Sequence, residues 1–422
     1  MKKITITGTK GKTTVTNVVS FVLQKSGNNV LHVNTTGHFV NGQRKSTLEE
    51  SKNIWGLVPS VSPGRFLGEF LTNPTLKNKG VAVMEASLGS SQLAGLGYRS
   101  HDVGVFLNVY EDHLGSSSRL KSKSDLAKAK EFIFSRLERN GYVIYNSDDK
   151  LVVRSLRVVP SHLGITQIAC GIDFKYIDIN SYLAHGGDAL TAKDGKIVLL
   201  TKNSQKVLVD LNKIPWTFNA RYLPSVWNIM MSVAAVYAFS DKKWDDSLKK
   251  AVESYRLDKY GGRLTLLKGS NGCLVLADYA HEEKSLVEIA KLAKSLVIND
   301  GKVIGVVRLA NDRTEQLIEK TGKSVGKAYD KCIVYDKIDG YYRKPRIVRS
   351  QNFPEVVGRI SSLYAKAIKS TNNSVERIIR EDKAAKRASD IAGKNDIVVY
   401  IVNDNIERSI GFIKKYFRAE FV

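Results

Sequence analysis

Residues 4–25 constrain the fold of this chain more than any other stretch. Ile4-Thr5-Ile6-Thr7 alternates apolar and polar residues as a strand does. Gly8-Thr9-Lys10-Gly11-Lys12-Thr13-Thr14 is a glycine, lysine and threonine loop, and residues 15–25 carry a helical pattern. Strand, glycine loop and helix N-terminus, in that order, cradle a nucleoside triphosphate. Loop N–H groups and the positive helix end meet the phosphates, Lys12 reaches the β and γ oxygens, and a Thr hydroxyl holds Mg²⁺. The common form of this loop has Gly where this chain has Ile6; glycines at 8 and 11 suit a tighter loop.

At 422 residues and 43% apolar content the chain is expected to form two or three globular domains. No window reaches the ~18–20 apolar residues of a membrane span. Lys2 and Lys3 precede a polar strand and loop, not a signal-peptide core, so a cytoplasmic protein is expected. Cys170, Cys273 and Cys332 form no CxxC pair and support neither a disulfide framework nor a zinc ribbon. The net charge of +23 suggests a polyanionic partner. Its lysines and arginines are nevertheless scattered among acids, with no basic arm or aromatic-interleaved patch, which argues against nucleic acid. A solvated basic surface, or one that concentrates ATP and a polyacid substrate, fits better.

Organisation follows from the hydrophobic rhythm. Residues 30–33, 80–84, 103–107 and 142–145 read as buried strands of a parallel sheet, and residues 126–140 as a helix. Between about 160 and 212 the runs 196–200 and 206–209 suggest a small antiparallel sheet, followed by one long apolar helix over 219–239. A boundary is placed near residues 258–262, giving domains at 1–258 and 259–422. Beyond it, strands at 273–277, 303–307, 331–335 and 397–402 alternate with helices at 284–296, 312–328 and 374–391, a second, Rossmann-like α/β domain.

Ligands of parallel sheets bind past the strand ends. There the first domain carries Glu85; then Asn108, Glu111, Asp112 and His113; then Asn146, Asp148 and Asp149. Any one of these acids could be a helix cap. Grouped in a domain with a phosphate loop, they read as a metal and nucleotide site.

Seven motifs then occur in one order: Gly8 to Thr14, Met84-Glu85-Ala86-Ser87, Asn108 to His113, Ala129-Lys130-Glu131-Phe132-Ile133-Phe134, Asn146-Ser147-Asp148-Asp149, Gly262-Arg263, and Asp278-Tyr279-Ala280-His281. In this the chain resembles the Mur ligases, ATP-dependent amide ligases. Within them it is most similar to the Mur-like half of cyanophycin synthetases, through residues 82–89, 95–98, 102–105, 125–127 and 310–313. With the phosphate loop starting at residue 8, neither the UDP-sugar domain of peptidoglycan ligases nor the ATP-grasp part of cyanophycin synthetases is expected here. Two motifs depart from the family. His281-Glu282-Glu283 stands for His-Asn-Pro, and Gly262-Arg263-Leu264-Thr265 for Gly-Arg-x-Glu.

The resemblance implies acid–amine ligation: a carboxylate takes the γ-phosphoryl of ATP, and an amine displaces phosphate from the acyl phosphate. By position it implies that Gly8, Thr9, Lys10, Gly11, Lys12, Thr13, Thr14 and Asn108 bind nucleotide. Thr13 and Glu85 would hold one Mg²⁺ and His113 a second. Lys130 matches a lysine that many of these ligases carbamylate to reach Mg²⁺; a plain ammonium on the acceptor is the alternative, and Lys128 a rival position. Asn219 and Asn228 would touch adenine, Arg263 and Asp278 phosphate and ribose, with His281 near the amine. The expected substrates are an amino acid and a peptide or polyacid. A folylpolyglutamate-type ligase, disfavoured by Thr13-Thr14 after Lys12, and a basic ATP-binding partner without catalysis are the other readings.

Overall fold

The computed structural model describes residues 1–34, 37–46, 80–88, 96–111, 120–258, 261–310, 313–337 and 357–422. By its own packing the chain divides into two compact units. One comprises Met1–Tyr110 with Ser122–Tyr255, the other Glu111–Lys121 with Arg256–Val422.

The first unit is built on β1 (Lys2–Thr7), β2 (Asn29–Asn34), β3 (Gly37–Val40), β4 (Gln43–Ser46), β5 (Gly80–Glu85), β6 (His101–Phe106), β7 (Leu137–Asn146), β8 (Thr166–Cys170), β9 (Asp188–Lys193), β10 (Lys196–Leu200) and β11 (Gln205–Asp210). They form one sheet in the order β11-β10-β9-β8-β7-β6-β1-β5-β2-β3-β4. Its centre is parallel and both ends are antiparallel. The antiparallel strands expected near 160–212 are an extension of this sheet, because β8 pairs in parallel with both β7 and β9. Ile4 and Ile6 of β1 and Val81 to Met84 of β5 are fully buried. The helices α1 (Lys12–Lys25), α2 (Lys123–Lys130) and α3 (Leu223–Phe239) belong to the same unit.

Two expectations fail here. The helix over 126–140 ends early: α2 is followed by Phe132–Ser135, and Leu137–Asn140 already belongs to β7, with Leu137 opposite His101. Pairing to β6 overrides the helical pattern of the local sequence. The long apolar helix starts at Leu223, not Asn219, with Pro224 in its first turn. Phe218, Asn219 and Ala220 precede it, all at positive φ.

The second unit holds β12 (Thr265–Lys268), β13 (Leu274–Asp278), β14 (Val303–Val307), β15 (Lys331–Val334), β16 (Val375–Arg377), β17 (Ile397–Ile401) and β18 (Glu420–Phe421), in the order β16-β15-β14-β17-β13-β12-β18. The five strands β13 to β17 run parallel, and β12 and β18 close one edge antiparallel. The flanking helices are α4 (Glu283–Leu296), α5 (Glu315–Ala328), α6 (Arg359–Lys369), α7 (Glu381–Ile391) and α8 (Ile406–Phe417). The helix expected over 374–391 is a strand and a shorter helix: Val375–Arg377 pairs with β15, and α7 begins at Glu381. Among the described residues no helix is long and apolar enough to cross a membrane.

On the edge strand β16, Glu376 accepts hydrogen bonds from Arg387 at 2.7 and 2.9 Å and lies 2.9 Å from Lys331. Arg387 foremost, with Lys331, holds the Glu376 carboxyl down to about 2 from its ordinary 4.5. The folded value lies below the unfolded one, so this stabilisation is complete above 4.5 and lost as pH falls towards 2. Glu376→Gln is expected to lower the melting temperature slightly at neutral pH and to flatten its fall on acidification, as melts across that window would register.

Candidate phosphate and cation site

Parallel register brings the site together. Ile6 of β1 sits opposite Glu85 of β5, and Thr7 opposite Phe106 of β6, so the loop leaving β1 emerges between Glu85 and Asn108. Two glycines let it pass. A Cβ on Gly8 would lie 2.8 Å from Leu107 Cβ. Gly11, the cap of α1 at φ 87°, would place a Cβ 2.3 Å from Asn228 Oδ1. The cap of α1 is Gly11, which has no side chain to cap it, and the positive end of the helix faces the loop.

Around that helix end the side chains are oxygen-rich. Thr13 Oγ1 donates to Glu85 Oε2 at 2.8 Å, and Lys12 Nζ lies 4.0 Å from Glu85 Oε1 and donates to the Thr9 carbonyl at 3.0 Å. Glu85 is only 1% exposed. A carboxylate is costly to bury unless it is paired, and this one faces a hydroxyl and an ammonium. Carboxylate and hydroxyl oxygens beside a helix N-terminus suit a hydrated Mg²⁺ carrying phosphate oxygens. Among the described residues no group of three His, Cys, Asp or Glu could hold a metal ion.

Asn108 grips the loop. Its Oδ1 accepts from Thr9 N (3.1 Å) and Lys10 N (2.9 Å), and its Nδ2 donates to the Lys10 carbonyl at 3.1 Å. Thr14 is buried on α1, and Asn228 stands in the second turn of α3 against Gly11. Lys130 closes α2, which Ser122 and Asp125 start with a reciprocal capping box; Lys130 is 4% exposed while Lys128 faces solvent. Asp112 and His113 lie outside the described residues.

Not every expected residue has the surroundings expected of it. Asn219 is exposed in the left-handed turn before α3, off the helix on which it was expected. Asp148 accepts the N–H groups of Ile172, Asp173 and Lys175. Asp149 caps the helix Lys150–Arg154 and takes the Val109 N–H, and Asn146 donates to the Leu107 carbonyl. In the bonds described, these three serve the backbone. His101, expected nowhere, is a core residue: burial holds it down to about 4, and its Nε2 lies 2.8 Å from the Ile133 carbonyl.

In the second unit Asp278 ends β13, and its two oxygens accept from Leu264 N (2.9 Å) and Ala280 N (2.8 Å), fixing the Gly262-Arg263 turn beside it. His281 Nδ1 is 2.8 Å from the Tyr279 carbonyl. Glu282, at a departure from the family pattern, caps α4 through Lys284 N and Ser285 N. Sequence reasoning missed Arg308. It follows the wholly buried β14, is itself 1% exposed, and donates to the Val402 carbonyl at 2.7 and 3.2 Å with its guanidinium 5.0 Å from the Tyr279 ring centre. An arginine directly after five apolar residues was the available signal. Burial alone would raise Asp404 nearby; Lys337 at 3.0 Å, the Tyr279 hydroxyl at 2.6 Å and Arg308 reverse this and hold it below its usual value.

Gly11→Ala is expected to cost about 1–2 kcal/mol for the left-handed backbone alone, plus the clash with Asn228. Adding Asn228→Ala should recover only the clash, as chemical denaturation of the single and double variants would show.

Comparison with known proteins finds relatives for both parts of the chain. Residues 6–171 match the Mur ligase middle domain, and residues 262–401 the Mur ligase, glutamate ligase domain. Cyanophycin synthetase of Trichormus variabilis is 25% identical over 415 residues, 97% of this chain but 42% of that protein, so the chain spans less than half its length. UDP-N-acetylmuramoyl-L-alanyl-D-glutamate–2,6-diaminopimelate ligase of Bacteroides thetaiotaomicron is 23% identical over 394 residues, covering 93% of this chain and 71% of that one. Among solved structures, the bifunctional folylpolyglutamate synthase/dihydrofolate synthase of Yersinia pestis, complexed with AMPPNP and Mn, superimposes with a TM-score of 0.65 at 15% identity, over 98% of this chain and 88% of that one. In its middle and C-terminal domains, the chain belongs to the Mur ligase family.

Proposed function

We propose that the chain is an ATP-dependent ligase that joins an amino acid to the carboxylate of a peptide or polyacid. One observation carries the reading: Lys12, Thr13 and buried Glu85 converge on the start of α1. ATP supplies the γ-phosphoryl group that activates the carboxylate as an acyl phosphate. Such transfer needs positioning and charge neutralisation more than covalent help. Lys12 offsets charge on the β and γ oxygens. Thr13 and Glu85 orient one Mg²⁺, with His113 assigned to a second. Lys130, buried where Lys128 is exposed, is the better placed of the two for carbamylation. Asn108 holds the loop, and Asn228 and Asn219 are assigned to the base. In the second unit Arg263 and Asp278 are assigned to phosphate and ribose, and His281 to the amine. Three cysteines, all free and buried, fit the reducing cytoplasm, where we place the reaction.

ADP release is expected only when a carboxylate acceptor and an amino acid are both present, in a screen of amino acids against short acidic peptides. Lys12→Ala should lower it by at least about 10²-fold. Turnover surviving that change would remove the phosphate-loop assignment. Nucleotide binding without amine-dependent ADP release would instead favour a non-catalytic ATP-binding module.

A further inference from the structure

The segment that grips the phosphate loop is itself held at every residue. Leu107 N donates to the Thr7 carbonyl at 2.9 Å, and the Leu107 carbonyl accepts from Asn146 Nδ2 at 2.9 Å. Val109 N donates to Asp149 Oδ2 at 2.7 Å, and Tyr110 N to Thr9 Oγ1 at 3.0 Å. Between them the Asn108 amide takes two loop N–H groups and returns one bond to the Lys10 carbonyl, while the Asn108 carbonyl accepts Thr9 N at 2.9 Å. In the bonds described, Asn146 and Asp149 reach the loop only through residues 107–109. Asn146 is 7% exposed, and its Oδ1 accepts from Asp148 N at 2.9 Å.

Resting on the nucleotide-site reading, we infer that Asn146 and Asp149 are positioning residues. By fixing residues 107–109 they keep Asn108 closed on Thr9 and Lys10, so the loop is ordered before any phosphate arrives. The entropy of ordering the loop is then lost on folding and not on binding.

Asp149→Asn tests this with one atom changed. Its Oδ1 still caps Leu151 and Val152, while the new amide nitrogen faces the Val109 N–H, donor against donor. Asn146→Asp is the second route: it keeps the acceptor for Asp148 N and sets a carboxylate oxygen against the Leu107 carbonyl. Amide hydrogen exchange at Thr9 and Lys10 is read without nucleotide, and the Kd for Mg·ADP by calorimetry. In whichever variant folds, both amides are expected to exchange faster, and the Kd to rise about fivefold to tenfold, the factor for one lost ordering hydrogen bond. Asp245→Ala, which removes the cap of the helix Asp246–Ser254, should lower the melting temperature without moving either readout. Unchanged exchange and unchanged Kd in a folded variant would overturn the inference. A wild-type protein that does not bind Mg·ADP would sink the nucleotide-site reading instead, and the exchange measurement would still judge the relay.

Discussion

The pairing of β1 with β5 on one side and β6 on the other is the constraint on which the candidate site depends. Ile4 and Ile6 are fully buried, as are Val81 to Met84 of β5, and burying an aliphatic side chain of this size contributes about 1.5–3 kcal/mol. That apolar contact sets the register, and the register sets the chemistry. With Ile6 opposite Glu85, the carboxylate arrives beside Thr13. A slip of one residue would turn β5 over and bring Met84 or Ala86 there instead. The polar site is therefore positioned by the hydrophobic core beneath it.

Glu85 is the exception that this core tolerates. Packed apolar residues would be easier to bury than an acid at 1% exposure. A hydroxyl on one oxygen and an ammonium 4.0 Å from the other soften the cost, and a bound cation would remove most of it. The second unit follows the same rule at its own strand ends. Asp278 at the end of β13 and Arg308 after β14 form hydrogen bonds to main-chain groups, and Asp404 beyond β17 accepts one from Tyr279. In both units the sheet supplies order and the loops past its carboxyl ends supply polarity.

Much of this was legible in the chain itself. The loop 8–14 announces its place because strand, glycine and helix signals fall in sequence, and the structure starts α1 directly after Gly11. Other features escaped for physical reasons. Leu137–Asn140 has helix-compatible residues yet belongs to β7, with Leu137 paired to β6, and Val375–Arg377 pairs with β15; neither partner is local. The left-handed run at Phe218, Asn219 and Ala220 contains no glycine to mark it. Asn146, Asp148 and Asp149 illustrate a deeper ambiguity. Carboxylates and amides serve metals and backbone N–H groups with the same atoms, and only geometry separates the two uses.

We propose that Glu85 and Thr13 form the cation half of a nucleotide site. Calorimetric titration with a non-hydrolysable ATP analogue, with and without Mg²⁺, on the wild-type protein and Glu85→Gln tests it most directly. Wild-type affinity should rise on adding Mg²⁺, and Glu85→Gln should lose that increment while keeping the metal-free affinity. An undiminished Mg²⁺ increment in Glu85→Gln would contradict the claim.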